Sequence, residues 1–119
     1  MTIQGLITKV KTEKPNTFSD EWLLKFVNEI EEDVAEQLHD DDFEPYASVD
    51  STELLVPAPY DRLYVSYLKS QVDYANEEYA SYQLNAEQHV QDFTDFINYI
   101  VRENVIEEEY LPSRFRNIF

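Results

Sequence analysis

Apolar residues recur in steps of three and four across residues 59–102, at Tyr64, Leu68, Val72, Ala75, Tyr79, Tyr82, Ala86, Val90, Phe93, Ile97 and Ile100. A strand would alternate; this is the period of an amphipathic helix. One continuous helix would run about 65 Å at about 1.5 Å per residue, too long for a compact chain of this size. A break is therefore predicted, folding the stretch into an antiparallel helix pair that shares one apolar seam. The hydrophobic phase passes through every candidate break without a slip. Asn76, followed by Glu77 and Glu78, combines a residue tolerant of left-handed backbone with acids suited to a new first turn. Asn85 is the alternative position.

Two further helices precede this pair. Ile3, Leu6, Ile7 and Val10 have helical spacing, with Lys9, Lys11 and Lys14 toward the end where cations complement the helix dipole, and Pro15 stops the segment. Ser19 reads as an N-cap, Asp20 and Glu21 place negative charge in the first turn, and Phe18 and Leu23 fit a hydrophobic staple. From there Trp22, Leu23, Phe26, Val27, Ile30, Val34 and Leu38 form a stripe, with Glu29, Glu31, Glu32, Asp33 and Glu36 mostly off it. Trp22 on so regular a stripe reads as core rather than as a ligand anchor.

Between the helices the texture changes. The acidic run from His39 through Asp40, Asp41 and Asp42 lacks the alternating ligands, glycine and distant glutamate of a calcium loop, so a solvated loop is the better reading and no metal is expected. Residues 46–49 and 53–56 read as two short strands around a turn at Asp50, Ser51 and Thr52, a small β-hairpin closed by Pro57 and Pro59. The expected fold class is mainly α: a small helical domain with a long antiparallel helix pair, an amphipathic N-terminal helix and that short hairpin.

Composition narrows the chemistry. The single glycine, Gly5, argues against phosphate loops and dinucleotide fingerprints, and the lack of cysteine excludes disulfides and thiolate sites. With 25 acids against 9 bases the formal charge is −16, which disfavours generic binding to nucleic acid or anionic lipid. No apolar run approaches the length of a membrane span, and the N-terminus lacks a signal-peptide pattern, so a soluble, intracellular protein is expected. His39 and His89 fall on different elements with no triad context, no serine sits in a nucleophile elbow, and a carboxylate pair picked from 25 acids carries no information. We expect no enzyme and no cofactor. The tyrosines fill the core with their hydroxyls at its edge, or face another copy in an oligomer.

The C-terminus stands out on so acidic a chain. Residues 113–119 carry Arg114 and Arg116 and no acidic side chain, with Phe115, Ile118 and Phe119 beside them. Either this is a frayed end or, as its three large apolar residues favour, a docking arm. The domain organisation read here is one domain over residues 1–111 and an arm over 112–119.

A short helix, an acidic amphipathic helix, the run Leu54-Leu55-Val56-Pro57-Ala58-Pro59-Tyr60-Asp61-Arg62-Leu63-Tyr64 and the segment Asp73-Tyr74-Ala75-Asn76-Glu77-Glu78-Tyr79 follow in that order. Together they resemble the small head-to-tail connector (adaptor, or neck) proteins of tailed bacteriophages, over about residues 2–102. This chain has Asn76-Glu77 where family wording would be Asn-Gly. The resemblance implies a non-enzymatic virion protein forming a ring, usually of about twelve copies, bound beneath the portal protein after genome packaging and supplying a platform for the next neck or tail protein. It also implies that the C-terminal segment reaches the portal, here Arg114, Phe115, Arg116, Ile118 and Phe119, and that location is the phage neck after assembly in the host cytoplasm. DNA would slide through without specific binding, past acidic residues for which Glu29, Glu32, Asp33 and Glu36 are the candidates. A reading from another class is an acidic DNA mimic that inhibits a nucleic-acid-binding host protein; a third is a generic helical interaction domain.

Overall fold

The structure, a computed structural model, describes residues 1–103. Four helices follow one another: α1 (Ile3–Glu13), α2 (Asp20–Leu38), α3 (Arg62–Ala75) and α4 (Tyr79–Arg102). The caps are chemical. Thr2 accepts the Gly5 N–H at the start of α1, and Ser19 accepts the Trp22 N–H at the start of α2. A Cβ on Gly5 would come 3.0 Å from the Thr2 hydroxyl, so glycine leaves the cap its room. His39, left-handed at φ 56, closes α2 by donating its N–H to Ala35 and Glu36.

The core is a single cluster of Ile3, Leu6, Ile7 and Val10 from α1, Leu23, Val27, Ile30 and Val34 from α2, and Leu63, Tyr64, Leu68 and Val72 from α3, joined by Phe96 and Ile100 of α4. α3 is the central helix and packs against the other three. The break in the long apolar stretch falls at residues 76–78. Asn76 stays near the helical region (φ −89, ψ 4), and the left-handed turn is made by Glu77 at φ 60.

The expected β-hairpin is not there: the described residues contain no strand, only an isolated antiparallel bridge between Thr2 and Glu53. The first turn of a helix has N–H groups with no partner of their own. Here the loop supplies them: Ile3 N–H donates to the Thr52 carbonyl and Gln4 N–H to the Asp50 carbonyl, both at 3.0 Å, while Leu54 N–H donates to the Met1 carbonyl at 3.0 Å. Asp50 further folds the turn by accepting the Thr52 N–H on its carboxylate at 2.9 Å. Backbone groups that a hairpin would have paired with each other are thus spent on α1, and Leu54 and Val56 are buried from an irregular segment.

Candidate interaction surface

Two buried carboxylates set where the helices sit. Glu31, fully buried on α2, accepts hydrogen bonds from the Tyr46 hydroxyl (2.6 Å), the Tyr64 hydroxyl (2.5 Å) and the Leu55 N–H (3.0 Å). The Tyr64 oxygen in turn accepts the Val56 N–H at 3.0 Å. Burial and then the adjacent carboxylate push both phenols well above their ordinary titration range, so they remain donors. Five polar groups from α2, the loop and α3 are satisfied in one knot.

Asp73, fully buried at the end of α3, does the same for α4. Its carboxylate accepts the Ser81 hydroxyl at 2.8 Å and the Asn85 amide at 2.7 Å on one oxygen, and Lys14 Nζ lies 2.5 Å from the other. Burial would raise this carboxyl's pKa, but Lys14 and the two donors outweigh it and hold it below the usual value. The turn end of the α3–α4 contact is therefore polar, and its far end is apolar, through Phe96 and Ile100.

That division turns α4 on its axis. At 100° per residue the side facing α3 carries Asn85, His89, Asp92, Phe96 and Ile100. Of the apolar stripe expected to be the shared seam, Ile100 does face α3, whereas Tyr79, Tyr82, Ala86, Val90, Phe93 and Ile97 sit to one flank of it. Along that stripe and beside it, Tyr79 is 57%, Val90 66% and Leu84 69% exposed, with Tyr82, Phe93 and Ile97 half-buried. Trp22 is likewise half-buried, stacked on Phe18 at 4.0 Å and edge-on to Phe26 at 4.7 Å. Exposed aromatic and aliphatic surface of this kind is what partner contacts are built from.

Two concavities flank the α3–α4 contact. The larger, of about 530 Å³, lies between α1, α3 and α4 and collects Lys9, Glu13, Arg62, Lys69 and Asp92. Its charges are already neutralised: Glu13 pairs with Lys69 at 2.6 Å and Lys9 at 2.9 Å, and Arg62 pairs with Asp92 at 3.3 Å and Asp95 at 2.8 Å. The smaller, of about 270 Å³, is a cleft between α2 and α4 lined by Asp33, His89, Val90, Phe93 and Thr94. Its chemistry is unbalanced. Asp33 has no ion pair among the described residues, and its pKa is raised first by burial and then by Glu36 and Glu32, with His89 opposing and Glu29 adding. His89 places Nδ1 3.0 Å from the Leu63 carbonyl, so Nδ1 carries the proton and Nε2 is left as an acceptor. Burial lowers the pKa of this ring, keeping it neutral near pH 7.

The acidic candidates Glu29, Glu32, Asp33 and Glu36 share one exposed face of α2, and none forms an ion pair among the described residues. Glu29 accepts the Tyr67 hydroxyl at 3.1 Å. Glu31, read with them as lying off the stripe, is instead buried in the core; its position four residues after Val27 and three before Val34 was the available signal. His89 gave no such signal, because nothing in its neighbourhood marks a ligand site. The arm residues Arg114, Phe115, Arg116, Ile118 and Phe119 lie outside the described residues. Among the described residues no group of three metal-ligating side chains converges, and no helix is long and apolar enough to cross a membrane. Comparison with family models, curated proteins and solved structures finds no match to this chain.

Proposed function

We propose that this chain is a structural assembly protein, a ring-forming head-to-tail connector of the phage neck that binds the portal protein after DNA packaging and offers a platform for the next neck or tail protein. The observation that supports an assembly role is the flank of α4, where Tyr79, Leu84 and Val90 stay exposed beside half-buried Tyr82, Phe93 and Ile97. A helix tied to its domain along one side by Asp73, Phe96 and Ile100 offers the other side to a neighbouring subunit. The uncompensated carboxylates of α2 fit a channel wall, since a cationic lining would hold DNA through counterion release.

Copies carrying −16 each repel, so assembly depends on the portal as template and on salt that screens charge beyond about 8 Å. The test is light scattering of the purified protein, alone and with the portal protein of the same genome, for the full chain and a version lacking residues 113–119. A large complex formed only by the full chain supports the connector and its arm. The same unpaired α2 carboxylates also favour the DNA-mimic reading; a mimic has no need of the arm, so retained inhibition of a DNA-binding protein after deletion, with no portal complex from either version, would move the assignment there.

A further inference from the structure

Among the described residues, the cleft between α2 and α4 offers acceptors and apolar surface and no donor. Asp33 contributes a carboxylate without a cation, and His89 contributes Nε2, which takes no hydrogen bond from the described residues. The Thr94 hydroxyl gives its proton to the Val90 carbonyl at 2.8 Å and so faces outward with lone pairs only. Val90 and Phe93 provide the apolar wall, and the His89 and Phe93 rings meet edge to face at 5.8 Å. The Tyr67 ring backs His89 at 5.1 Å, and its hydroxyl is already committed to Glu29.

We propose that this cleft is a docking site for an arginine side chain carried on an apolar segment of a partner protein. Arginine and the cleft are complementary in charge and in hydrogen bonding. A guanidinium presents several N–H donors in one plane and accepts nothing, pairs with a carboxylate through two parallel hydrogen bonds, and lies flat against aromatic rings. His89 Nε2 and the Thr94 hydroxyl accept the N–H groups, Asp33 supplies the carboxylate, and the His89 and Phe93 rings supply the aromatic surface. A lysine ammonium would satisfy the carboxylate but not the rings, because it is compact and strongly hydrated. A second copy of the described surface would bring the α2 carboxylates against more carboxylate, and the groove between α1, α3 and α4 has no unpaired charge to recruit a partner. Apolar residues on either side of the incoming arginine would cover Val90 and the stripe beyond it, excluding water from the ion pair.

The experiment uses the full chain and a capped helical peptide of about fifteen residues bearing one arginine between leucine and phenylalanine at helical spacing, with citrulline replacing arginine in a control peptide. Binding is read from amide chemical shifts. The expected result is a set of shifts centred on Asp33, His89, Val90, Phe93 and Thr94, with affinity falling about tenfold or more for the citrulline peptide and for Asp33→Asn. Asp41→Asn removes the same charge from the exposed loop and should change affinity less than about twofold. Equal binding of the arginine and citrulline peptides would overturn the proposal, as would equal losses in Asp33→Asn and Asp41→Asn, which would mean bulk attraction to an acidic protein. Shifts at the cleft that grow with protein concentration without peptide, and persist in Asp33→Asn, would identify a second copy as the occupant and also overturn it.

Discussion

The Tyr64 hydroxyl donates to Glu31 at 2.5 Å, and neither residue is accessible to solvent. This one hydrogen bond connects the central helix to α2 and, through the Val56 N–H that Tyr64 accepts, to the loop that lacks regular structure. Removing the hydroxyl in Tyr64→Phe strands a buried amide and leaves a carboxylate one donor short. We expect a loss of about 1–3 kcal/mol, read as a lower urea midpoint at unchanged slope. Glu31→Ala, which unpairs two tyrosines and an amide together, should cost more than Tyr64→Phe; equal costs would mean that the knot does not act as a unit.

Glu77 holds a left-handed backbone at φ 60 in the α3–α4 turn, where only glycine and, less readily, asparagine are at ease. Glu77→Gly should therefore raise stability by a few tenths to about 1 kcal/mol, the relief of strain exceeding the added freedom of the unfolded chain. A thermal midpoint below that of the parent would show the turn is held by the glutamate side chain.

Asp73 ties Lys14, Ser81 and Asn85 at this same turn end of the pair. Its pKa is lower folded than unfolded, so its contribution is full above the ordinary carboxylate value of 3.8 and disappears as pH falls through the folded value. Asp73→Asn should cost about 1–3 kcal/mol at pH 7 and show a shallower acid limb below pH 4 than the parent. Hydrogen exchange at residues 79–85 should accelerate in the variant more than exchange in α1.

His89 titrates in the opposite sense to a paired histidine. Burial sets its folded pKa below the ordinary 6.5, the unfolded chain binds the extra proton first, and stability declines as pH falls from about 6.5 toward the folded value. His89→Asn places an amide nitrogen where Nδ1 donates to the Leu63 carbonyl and removes the titration, so stability measured between pH 7.5 and 5 should fall less than in the parent. Parallel curves would exclude His89 as the source.

Leu54 is buried from a segment with no strand partner. Leu54→Ala should cost about 2–4 kcal/mol by urea unfolding, and half-buried Leu55→Ala clearly less. The reverse order would mean the loop is not anchored where its backbone hydrogen bonds to residues 1–4 place it.

The hydrophobic pattern and the cap chemistry were enough to find all four helices and the Ser19 cap, because these follow from contacts within a few residues of each other; for the break they offered Asn76 and Asn85, and the folded chain turns at 76–78. The acidic face of α2 was equally legible, since exposed carboxylates at helical spacing need no tertiary information. The expected hairpin does not form: residues 46–49 and 53–56 are two short apolar runs around a turn, whose backbone groups could pair locally or with something distant. Only the folded chain shows that the amides of Ile3 and Gln4 compete for the carbonyls of Thr52 and Asp50 and take them.

Sequence by itself determined the elements: where the chain turns helical, where it stops, and that it is strongly acidic. Tertiary structure decided which side of each helix faces inward. A stripe such as Tyr82, Val90, Phe93 and Ile97 is equally apolar whether buried or bare, and its rotation out of the seam was set by Asp73, a charged residue whose need for Lys14, Ser81 and Asn85 outweighs the covering of that flank. Burying an unpaired carboxylate costs more than leaving a valine in water, and that inequality appears only when distant residues meet.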